Sequence, residues 1–175
     1  LGDVYKRQSQ NGYPDKDYKA LTERLRSGFP EAKYIDISGL LSADDFYYTD
    51  SHWRQERITK VADEIAAQMG AERIGTCEIQ DTGRPFYGVY YGQAALPHAP
   101  ERLFYLDNAV IRGLKVYNVE TQSDIPVYDL GAAAGRDPYE MFLGGARSII
   151  KITNPNAAQE RRLIVFRDSF GSSIA

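Results

Sequence analysis

Residues 162–173, RLIVFRDSFGSS, decide the predicted fold, because an apolar run passes directly into a small polar turn. Hydrolytic α/β folds place a nucleophilic serine at such a strand-to-helix turn, with its hydroxyl at the end of a buried strand. Ser169 occupies that position, and the run 162–166 is apolar enough for a strand that is covered on both faces. The sequence therefore predicts an α/β fold with a candidate nucleophile near residue 169.

A second segment supplies the base that such a serine needs. Residues 47–53, YYTDSHW, place Asp50 two positions before His52. A carboxylate on one ring nitrogen of a histidine fixes its tautomer, and the other nitrogen can then accept the serine proton. The chain has only two histidines, and His98 lies in a proline-rich loop where a surface position is predicted. Asp50, His52 and Ser169 are therefore the candidate catalytic residues.

Both segments also have a purely structural interpretation. Asp50 or Ser51 can cap the helix that follows, with His52 satisfied nearby. Asp168 and Ser169 can likewise cap a helix that begins after the final strand. A third possibility is a generic α/β domain in which Asp50 and Ser169 lie at separate edges of the sheet. The distance between the histidine ring and the serine hydroxyl decides among these interpretations.

The oxyanion of an acyl-transfer reaction needs backbone donors close to the nucleophile. The N–H of Ser169 is the first candidate, and a glycine brought close in space is the second. Gly144 and Gly145 are the best candidates for that second donor. Ser172 and Ser173 compete with Ser169 as nucleophiles, although they lie deeper in the predicted helix.

Substrate contacts are predicted from the aromatic residues and from one arginine. Tyrosine is abundant, with 13 residues against 7 phenylalanines, and its flat face and hydroxyl suit sugar rings. Tyr47, Tyr48 and Trp53 are candidates to face a sugar, and packing in the core or at its rim is the competing interpretation. Arg167 is a candidate contact for an anionic saccharide, or else a structural ion-pair residue.

Composition limits the classes of function. A chain of 175 residues with 43% hydrophobic and 26% charged residues is predicted to form one domain. The net charge of −3 gives no basic footprint, which argues against a nucleic-acid partner. Cys77 is the single cysteine, so neither an intrachain disulfide nor a cysteine-based metal site is predicted. No glycine-rich phosphate loop precedes a helix, and hence no metal or nucleotide cofactor is expected.

Domain boundaries follow from the two ends of the chain. Residues 1–8, LGDVYKRQ, resemble a non-native prefix and are set aside. Residues 9–175 are then predicted to form a single domain that is C-terminally truncated, because few residues follow Ser169 where a helix is expected.

Periodicity predicts two helices and several short strands. Residues 54–69 carry one apolar stripe at helical spacing and end at Gly70. The other predicted helical segments are 13–27, which stops at Gly28, and a turn over 138–143. The predicted strands are 33–37, 86–91, 102–106, 114–119, 125–130, 148–153 and 162–166. The whole is an α/β pattern with a β-rich insertion between the two candidate catalytic segments.

These motifs in combination carry a resemblance to a known family. TDSHW at 49–53, FLGG at 142–145, ITNPN at 152–156 and FRDSFGSS at 166–173 resemble the DHHW proteins, over roughly residues 13–175. Those proteins resemble in turn the SGNH-hydrolase-like proteins of alginate O-acetylation. In that group the Asp-x-His segment precedes the serine segment, which reverses the order of ordinary SGNH esterases, and this chain has the reversed order. Ser51 stands where the family name has its first histidine.

The resemblance implies a fold, an activity and a setting. The implied fold is an SGNH-hydrolase-like, flavodoxin-like three-layer sandwich, in which Asp50 orients His52 and Ser169 is the nucleophile. The implied activity is that of an extracytoplasmic O-acetyltransferase or acetylesterase acting on a cell-envelope or secreted polysaccharide. A membrane-bound acyltransferase is the implied partner. A non-catalytic carbohydrate-binding or assembly module with the same fold is the alternative.

Overall fold

The computed structural model describes residues 17–95, 97–158 and 160–174. The predicted prefix 1–8 lies outside the described residues. The helices are α1 (Tyr18–Gly28), α2 (Thr59–Gln68), α3 (Val89–Ala94) and α4 (Ala109–Gly113). The strands are β1 (Glu78–Phe86), β2 (Glu101–Asp107), β3 (Lys115–Asn118), β4 (Ser123–Ile125) and β5 (Ile150–Thr153). Single 3₁₀ turns cover Ser38–Leu40, Ala43–Asp45, Gln55–Arg57, Ala132–Ala134, Pro138–Met141 and Phe170–Ser172.

The two longest helices lie where the apolar periodicity predicts them. The Asp17 carboxylate accepts a hydrogen bond from the Ala20 N–H and thereby caps α1. A 3₁₀ turn precedes α2, which buries Val61 completely. The chain leaves α2 at Gly70, whose φ of +63° is the left-handed conformation that glycine adopts readily. None of the described helices is both long enough and apolar enough to cross a membrane.

The described strands form two small antiparallel sheets. β1 pairs with β2, and β3 lies between β4 and β5. The predicted strands 102–106, 114–119 and 148–153 are confirmed, and so is the mixed α/β class. A flavodoxin-like sandwich requires a central parallel sheet, and the described strands pair only antiparallel. The three-layer sandwich therefore stays a prediction.

Three predicted strands are wrong or misplaced. Residues 86–91 contain only the end of β1, because the chain turns at Gly88 and continues as α3. β4 ends at Ile125, so 125–130 is mostly irregular and holds one bridge, between Tyr128 and Phe142. Residues 33–37 are not a strand, since no described segment pairs with them.

The predicted buried strand 162–166 is also wrong for this structure. These residues form no strand, and their apolar side chains are exposed, with Phe166 at 97%. An apolar run becomes a strand only where a neighbour satisfies its backbone N–H and C=O groups. No described segment pairs with 162–166, so the composition of the run alone does not decide its structure.

Two apolar clusters form the core, and the Asp-x-His segment joins them. Tyr47 belongs to one cluster, whereas Phe46 and Trp53 belong to the other. The first cluster also contains Phe86, Leu103, Ala133, Tyr139, Met141 and Phe142, and the second contains Ile58 and Val61. The residues between Tyr47 and Trp53 are thus held at both ends by buried side chains.

Candidate active site

The segment that carries Asp50 and His52 is a narrow loop with paired ends. Phe46 and Trp53 form an antiparallel bridge, and the Tyr47 N–H donates to the His52 carbonyl at 3.0 Å. Tyr47 and Trp53 are buried, which fixes both ends of the loop in the core. The paired ends therefore fix where the loop leaves and re-enters the core.

Both oxygens of the Asp50 carboxylate accept hydrogen bonds. Its Oδ1 accepts from the His52 N–H at 2.9 Å and lies 2.5 Å from His52 Nδ1, while Oδ2 accepts from the Val89 N–H at 2.9 Å. Gly88 lies so close to the loop that a Cβ at that position would overlap the Thr49 carbonyl and the Asp50 Cβ. The start of α3 can thus donate to Asp50 only because a glycine precedes it.

The His52 ring joins the carboxylate to the serine. An ionised carboxylate can only accept hydrogen bonds, so Nδ1 carries the proton and Nε2 is the free acceptor. Ser169 Oγ lies 2.7 Å from Nε2. The ring stacks on Tyr139 at a centroid distance of 3.9 Å and contacts Phe170 at 4.9 Å. Aromatic neighbours thus hold the imidazole plane in the orientation that the serine requires.

Ser169 combines an exposed position with a fixed backbone. It lies at the N-terminal end of the 3₁₀ turn Phe170–Ser172, and the Phe170 N–H donates to Asp168 Oδ1 at 3.0 Å. Among the described residues, no group accepts a hydrogen bond from the Ser169 N–H. Ser169 is thus exposed, and its backbone N–H is not used by any acceptor within the described residues.

Ser173 anchors the serine segment to the core. The Ser173 hydroxyl accepts from Trp53 Nε1 and from the Tyr139 hydroxyl, each at 2.8 Å, and the Ser173 carbonyl accepts from Gln55 Nε2 at 2.8 Å. Gln55 Oε1 also accepts from the Leu106 N–H in β2. One buried serine thus connects the candidate nucleophile's segment to both core clusters.

The competing nucleophiles Ser172 and Ser173 are buried, at 5% and 3% exposure. Ser172 Oγ contacts Arg167 Nη1, and Ser173 Oγ is bonded as described. Neither hydroxyl contacts the His52 ring. Ser169 is therefore the serine that the structure brings to the candidate base.

Gly145 does not supply the second oxyanion donor. Gly144 and Gly145 both adopt positive φ, and the Gly145 N–H donates to the Phe142 carbonyl at 3.1 Å. The prediction is wrong for Gly145 because its N–H already closes this turn; for Gly144 it stays a prediction. The Gly145 carbonyl instead accepts from Arg167 Nη2 at 3.5 Å.

Arg167 donates to three uncharged acceptors, namely the carbonyls of Asp168 and Gly145 and the hydroxyl of Ser172. The described residues place no carboxylate at ion-pair distance from it. The alternative of a structural ion pair is therefore wrong within the described residues. Contact with an anionic saccharide stays a prediction.

The predicted sugar-facing aromatics have different environments. Tyr47 and Trp53 are buried, and the Trp53 indole N–H is bonded to Ser173, so the geometry favours the packing interpretation for both. Tyr48 is 62% exposed and stacks on His98 at a centroid distance of 4.8 Å. His98 lies at the surface, as the sequence predicts.

The surroundings of the site lower the pKa of Asp50 and raise the pKa of Tyr139. Desolvation raises the pKa of Asp50, but the hydrogen bonds from His52 and Val89 outweigh it and leave the pKa below its ordinary value. Burial raises the pKa of Tyr139 well above the usual range. Asp50 is thus an ionised carboxylate and Tyr139 a neutral phenol at neutral pH.

Three contributors to the site are missing from the sequence prediction. Tyr139 packs under the imidazole, and Gly88 lets α3 approach Asp50. Glu101 accepts hydrogen bonds from the loop at Tyr48 and Thr49. No short motif signals these contacts, because each joins residues that are far apart in the sequence. Within the described residues, no cluster of three or more acidic, histidine or cysteine side chains is suited to hold a metal ion.

A cleft of about 730 Å³ adjoins the segment that carries Ser169. Its lining includes Asp168 and Phe170, which flank Ser169, together with Trp53 from the loop. Residues of α1 and Tyr34 also line it, whereas Ser169 and His52 do not. The cleft thus adjoins the candidate site but does not contain the two reacting side chains.

No protein-family model and no curated protein matches this chain. Its fold is similar to that of a DHHW family protein from Eubacterium siraeum DSM 15702, with a TM-score of 0.56 and 19% identity. The match covers 75% of this chain and 46% of that protein, so the chain spans less than half of its length. The likeness supports the predicted resemblance to DHHW proteins at the level of the fold.

Proposed function

We propose that this chain carries a serine-dependent acyl-transfer site, in which Ser169 is the nucleophile, His52 the general base and Asp50 the residue that orients His52. The observation that carries the proposal is the continuous contact from Asp50 Oδ1 to His52 Nδ1 at 2.5 Å and from His52 Nε2 to Ser169 Oγ at 2.7 Å. A hydroxyl is a weak nucleophile unless an adjacent base takes its proton, and this arrangement provides one.

The proposed reaction proceeds through an acyl-enzyme. Ser169 Oγ attacks the carbonyl carbon of an ester while its proton passes to His52 Nε2. The carbonyl oxygen becomes an oxyanion, for which the Ser169 N–H is the proposed donor. Collapse of the tetrahedral intermediate breaks the ester bond, and the leaving alkoxide takes the proton from His52. Water or a sugar hydroxyl then attacks the acyl carbon while His52 Nε2 accepts its proton. Collapse of this second tetrahedral intermediate breaks the bond between the acyl group and Ser169 Oγ, which takes the proton back from His52.

The proposed family and fold are those of the DHHW proteins, with an SGNH-hydrolase-like sandwich. Two observations support this assignment: the likeness to a DHHW family structure and the order in which the Asp-x-His and serine segments follow each other.

The proposed substrate is an acetylated saccharide or a polysaccharide acceptor in an extracytoplasmic setting, with a membrane-bound acyltransferase as the source of acetyl groups. The cleft that adjoins the Ser169 segment supports a hydroxyl-rich acceptor, since its lining combines the aromatic side chains of Tyr18, Tyr34 and Trp53 with charged and polar groups. Esterase and transferase share the three catalytic residues and differ only in the acceptor. A carbohydrate-binding module without activity is disfavoured, because it gives no reason for His52 and Ser169 to be within hydrogen-bond distance.

The proposal is tested by p-nitrophenyl acetate turnover of the wild type, Ser169→Ala and Ser123→Ala. Ser123 lies exposed in β4 and serves as the matched control. We expect Ser169→Ala to lose roughly 10³-fold or more of the turnover and Ser123→Ala to retain it. Equal turnover by Ser169→Ala and the wild type would contradict the proposed nucleophile.

A further inference from the structure

The carboxylate of Glu101 contacts the loop that carries Asp50, although Glu101 lies 49 positions after His52 in the sequence. Oε1 accepts from the Tyr48 N–H at 2.9 Å, and Oε2 accepts from the Thr49 N–H and the Thr49 hydroxyl, each at 2.7 Å. Both oxygens are thus used, and three donors of the loop converge on one side chain. Charge-assisted hydrogen bonds of this kind are stronger than neutral ones.

Thr49 connects Glu101 to α3. Its hydroxyl accepts from the Gly88 N–H at 3.2 Å, and its carbonyl accepts from the Tyr90 N–H at 2.9 Å. The intervening Val89 N–H donates to Asp50 Oδ2. The peptide before Asp50 and the helix that binds Asp50 are therefore held by the same threonine.

The anchor itself is rigid. Glu101 is the first residue of β2, and it pairs with Phe86 at the end of β1. Phe86 is 1% exposed and packs against Tyr47 at a centroid distance of 4.7 Å. A side chain fixed to a paired strand can transmit a defined position to the loop, which a side chain on a mobile segment cannot.

We propose that Glu101 is a positioning residue that sets the hydrogen bond between Asp50 and His52 through Thr49. This inference rests on the proposed function for its kinetic consequence, but its structural consequence is independent of any activity. Glu101 does not touch the reacting atoms. Its removal lets the loop shift, and the imidazole then loses its alignment with Ser169.

The first test is the ¹H–¹⁵N NMR spectrum of the two histidine rings in the wild type, Glu101→Gln and Glu120→Gln. The Nδ1 proton of His52, which is donated to Asp50 Oδ1, is expected at low field, and His98→Gln identifies which signals belong to the other ring. The amide introduced by Glu101→Gln would present one acceptor and one NH₂ group where two acceptors are needed. We expect the low-field signal of this variant to disappear or to move upfield.

Glu120→Gln is the matched control. Glu120 also accepts from a backbone N–H and a hydroxyl, both of Ser148, but it lies in the β3–β4 turn region away from the loop. We expect this variant to keep the His52 signal. An unchanged signal in Glu101→Gln, or an equal loss in both variants, would overturn the proposal.

A second pair of variants serves if Glu101→Gln does not fold. Thr49→Val removes the hydroxyl between Glu101 and Gly88, whereas Thr49→Ser keeps it. We expect the low-field signal to be lost in Thr49→Val and retained in Thr49→Ser. Loss in both variants or retention in both would contradict a role for the hydroxyl contact.

Kinetics separate this proposal from the proposed function. If the wild type turns over p-nitrophenyl acetate, Glu101→Gln should lower kcat roughly 10- to 100-fold with little change in KM, because misalignment affects the chemical step. Suppose that the wild type shows no turnover but the His52 signal is lost in Glu101→Gln. That result would contradict the proposed function and leave the positioning role intact. A lower kcat with an unchanged His52 signal would contradict the positioning role.

Discussion

The two halves of the candidate site are held in place in different ways. The loop with Asp50 and His52 is fixed by its own paired ends, by α3 and by a carboxylate of β2. The segment with Ser169 is exposed before residue 167 and is fixed mainly after the serine, where Ser173 bonds to Trp53 and Tyr139. The base is therefore fixed by contacts from several elements, whereas the nucleophile's segment is joined to the core mainly through the hydroxyl and carbonyl of one buried serine.

This difference shows how an active site can tolerate an exposed nucleophile. A serine must remain accessible to its substrate, so its neighbours cannot cover it. Its position is instead set one 3₁₀ turn later, where Ser173 is buried. The histidine needs only one accessible nitrogen, and the rest of its ring can be packed on Tyr139. The consequences of this contrast can be tested on each half separately.

The largest effect is expected at the base, from Asp50→Asn. An amide at this position donates to Nδ1 and leaves the wrong nitrogen protonated, so His52 can no longer accept the Ser169 proton. We expect turnover of p-nitrophenyl acetate to fall by roughly 10³- to 10⁴-fold. Asp44→Asn is the control, since Asp44 is exposed on the neighbouring 3₁₀ turn. Similar turnover in both variants would mean that Asp50 does not orient the base.

A smaller effect is expected from Gly88→Ala, which tests the contact of α3 with the same half. The new Cβ would overlap the Thr49 carbonyl, so either the helix or the loop must move. We expect a loss of about 1–3 kcal/mol in the free energy of unfolding, measured by urea denaturation, together with reduced turnover. Gly92→Ala in α3 has open space at its Cβ and should be neutral or stabilising. Equal stability of the two variants would show that the close approach at Gly88 is unimportant.

Ser173→Ala tests the nucleophile's half. The substitution removes the acceptor shared by the Trp53 indole and the Tyr139 hydroxyl, although each keeps a longer bond, to the Phe170 and Trp53 carbonyls. We expect about 1–2 kcal/mol of lost stability and turnover that falls more than stability alone explains, because Ser169 is displaced. Should turnover per folded molecule equal that of the wild type, the anchoring role of Ser173 would be refuted.

The smallest effect is the pH dependence of stability. The hydrogen bonds to Asp50 hold its folded-state pKa below the ordinary value of 3.8. Its contribution to stability is therefore fully present above about pH 4 and is lost as the pH falls through the folded-state pKa. We expect urea denaturation between about pH 5 and about pH 2 to show a shallower loss of stability in Asp50→Asn than in the wild type. A steeper loss of stability in Asp50→Asn than in the wild type would contradict a folded-state pKa of Asp50 below its ordinary value.

The sequence predicts features that depend on neighbouring residues. The apolar stripe of α2, the short runs that form β2 and β3, and the Asp-x-His spacing are all local patterns, and the structure has each of these elements. The contact between His52 and Ser169 follows from a resemblance of motifs, since spacing alone left a capping interpretation open. The distance of 2.7 Å agrees with the arrangement that the motifs imply.

Features that depend on contacts between residues far apart in the chain could not be predicted from the sequence. Residues 162–166 have the composition of a buried strand but lack a pairing partner among the described residues. Residues 86–91 are rich in aromatic side chains, yet the tight packing of Gly88 against the loop ends the strand and starts α3. Glu101 and Tyr139 contribute through contacts across about 50 and 87 residues, which no local pattern encodes.

The most direct test of the central claim is covalent labelling by a fluorophosphonate, followed by peptide mass mapping. This reagent reacts with a serine whose hydroxyl is activated by a neighbouring base, so it needs neither the natural donor nor the natural acceptor. The account predicts a single adduct on Ser169 that is absent in Ser169→Ala and much slower in Asp50→Asn. An adduct on Ser172 or Ser173, or no adduct on the folded wild-type protein, would contradict it.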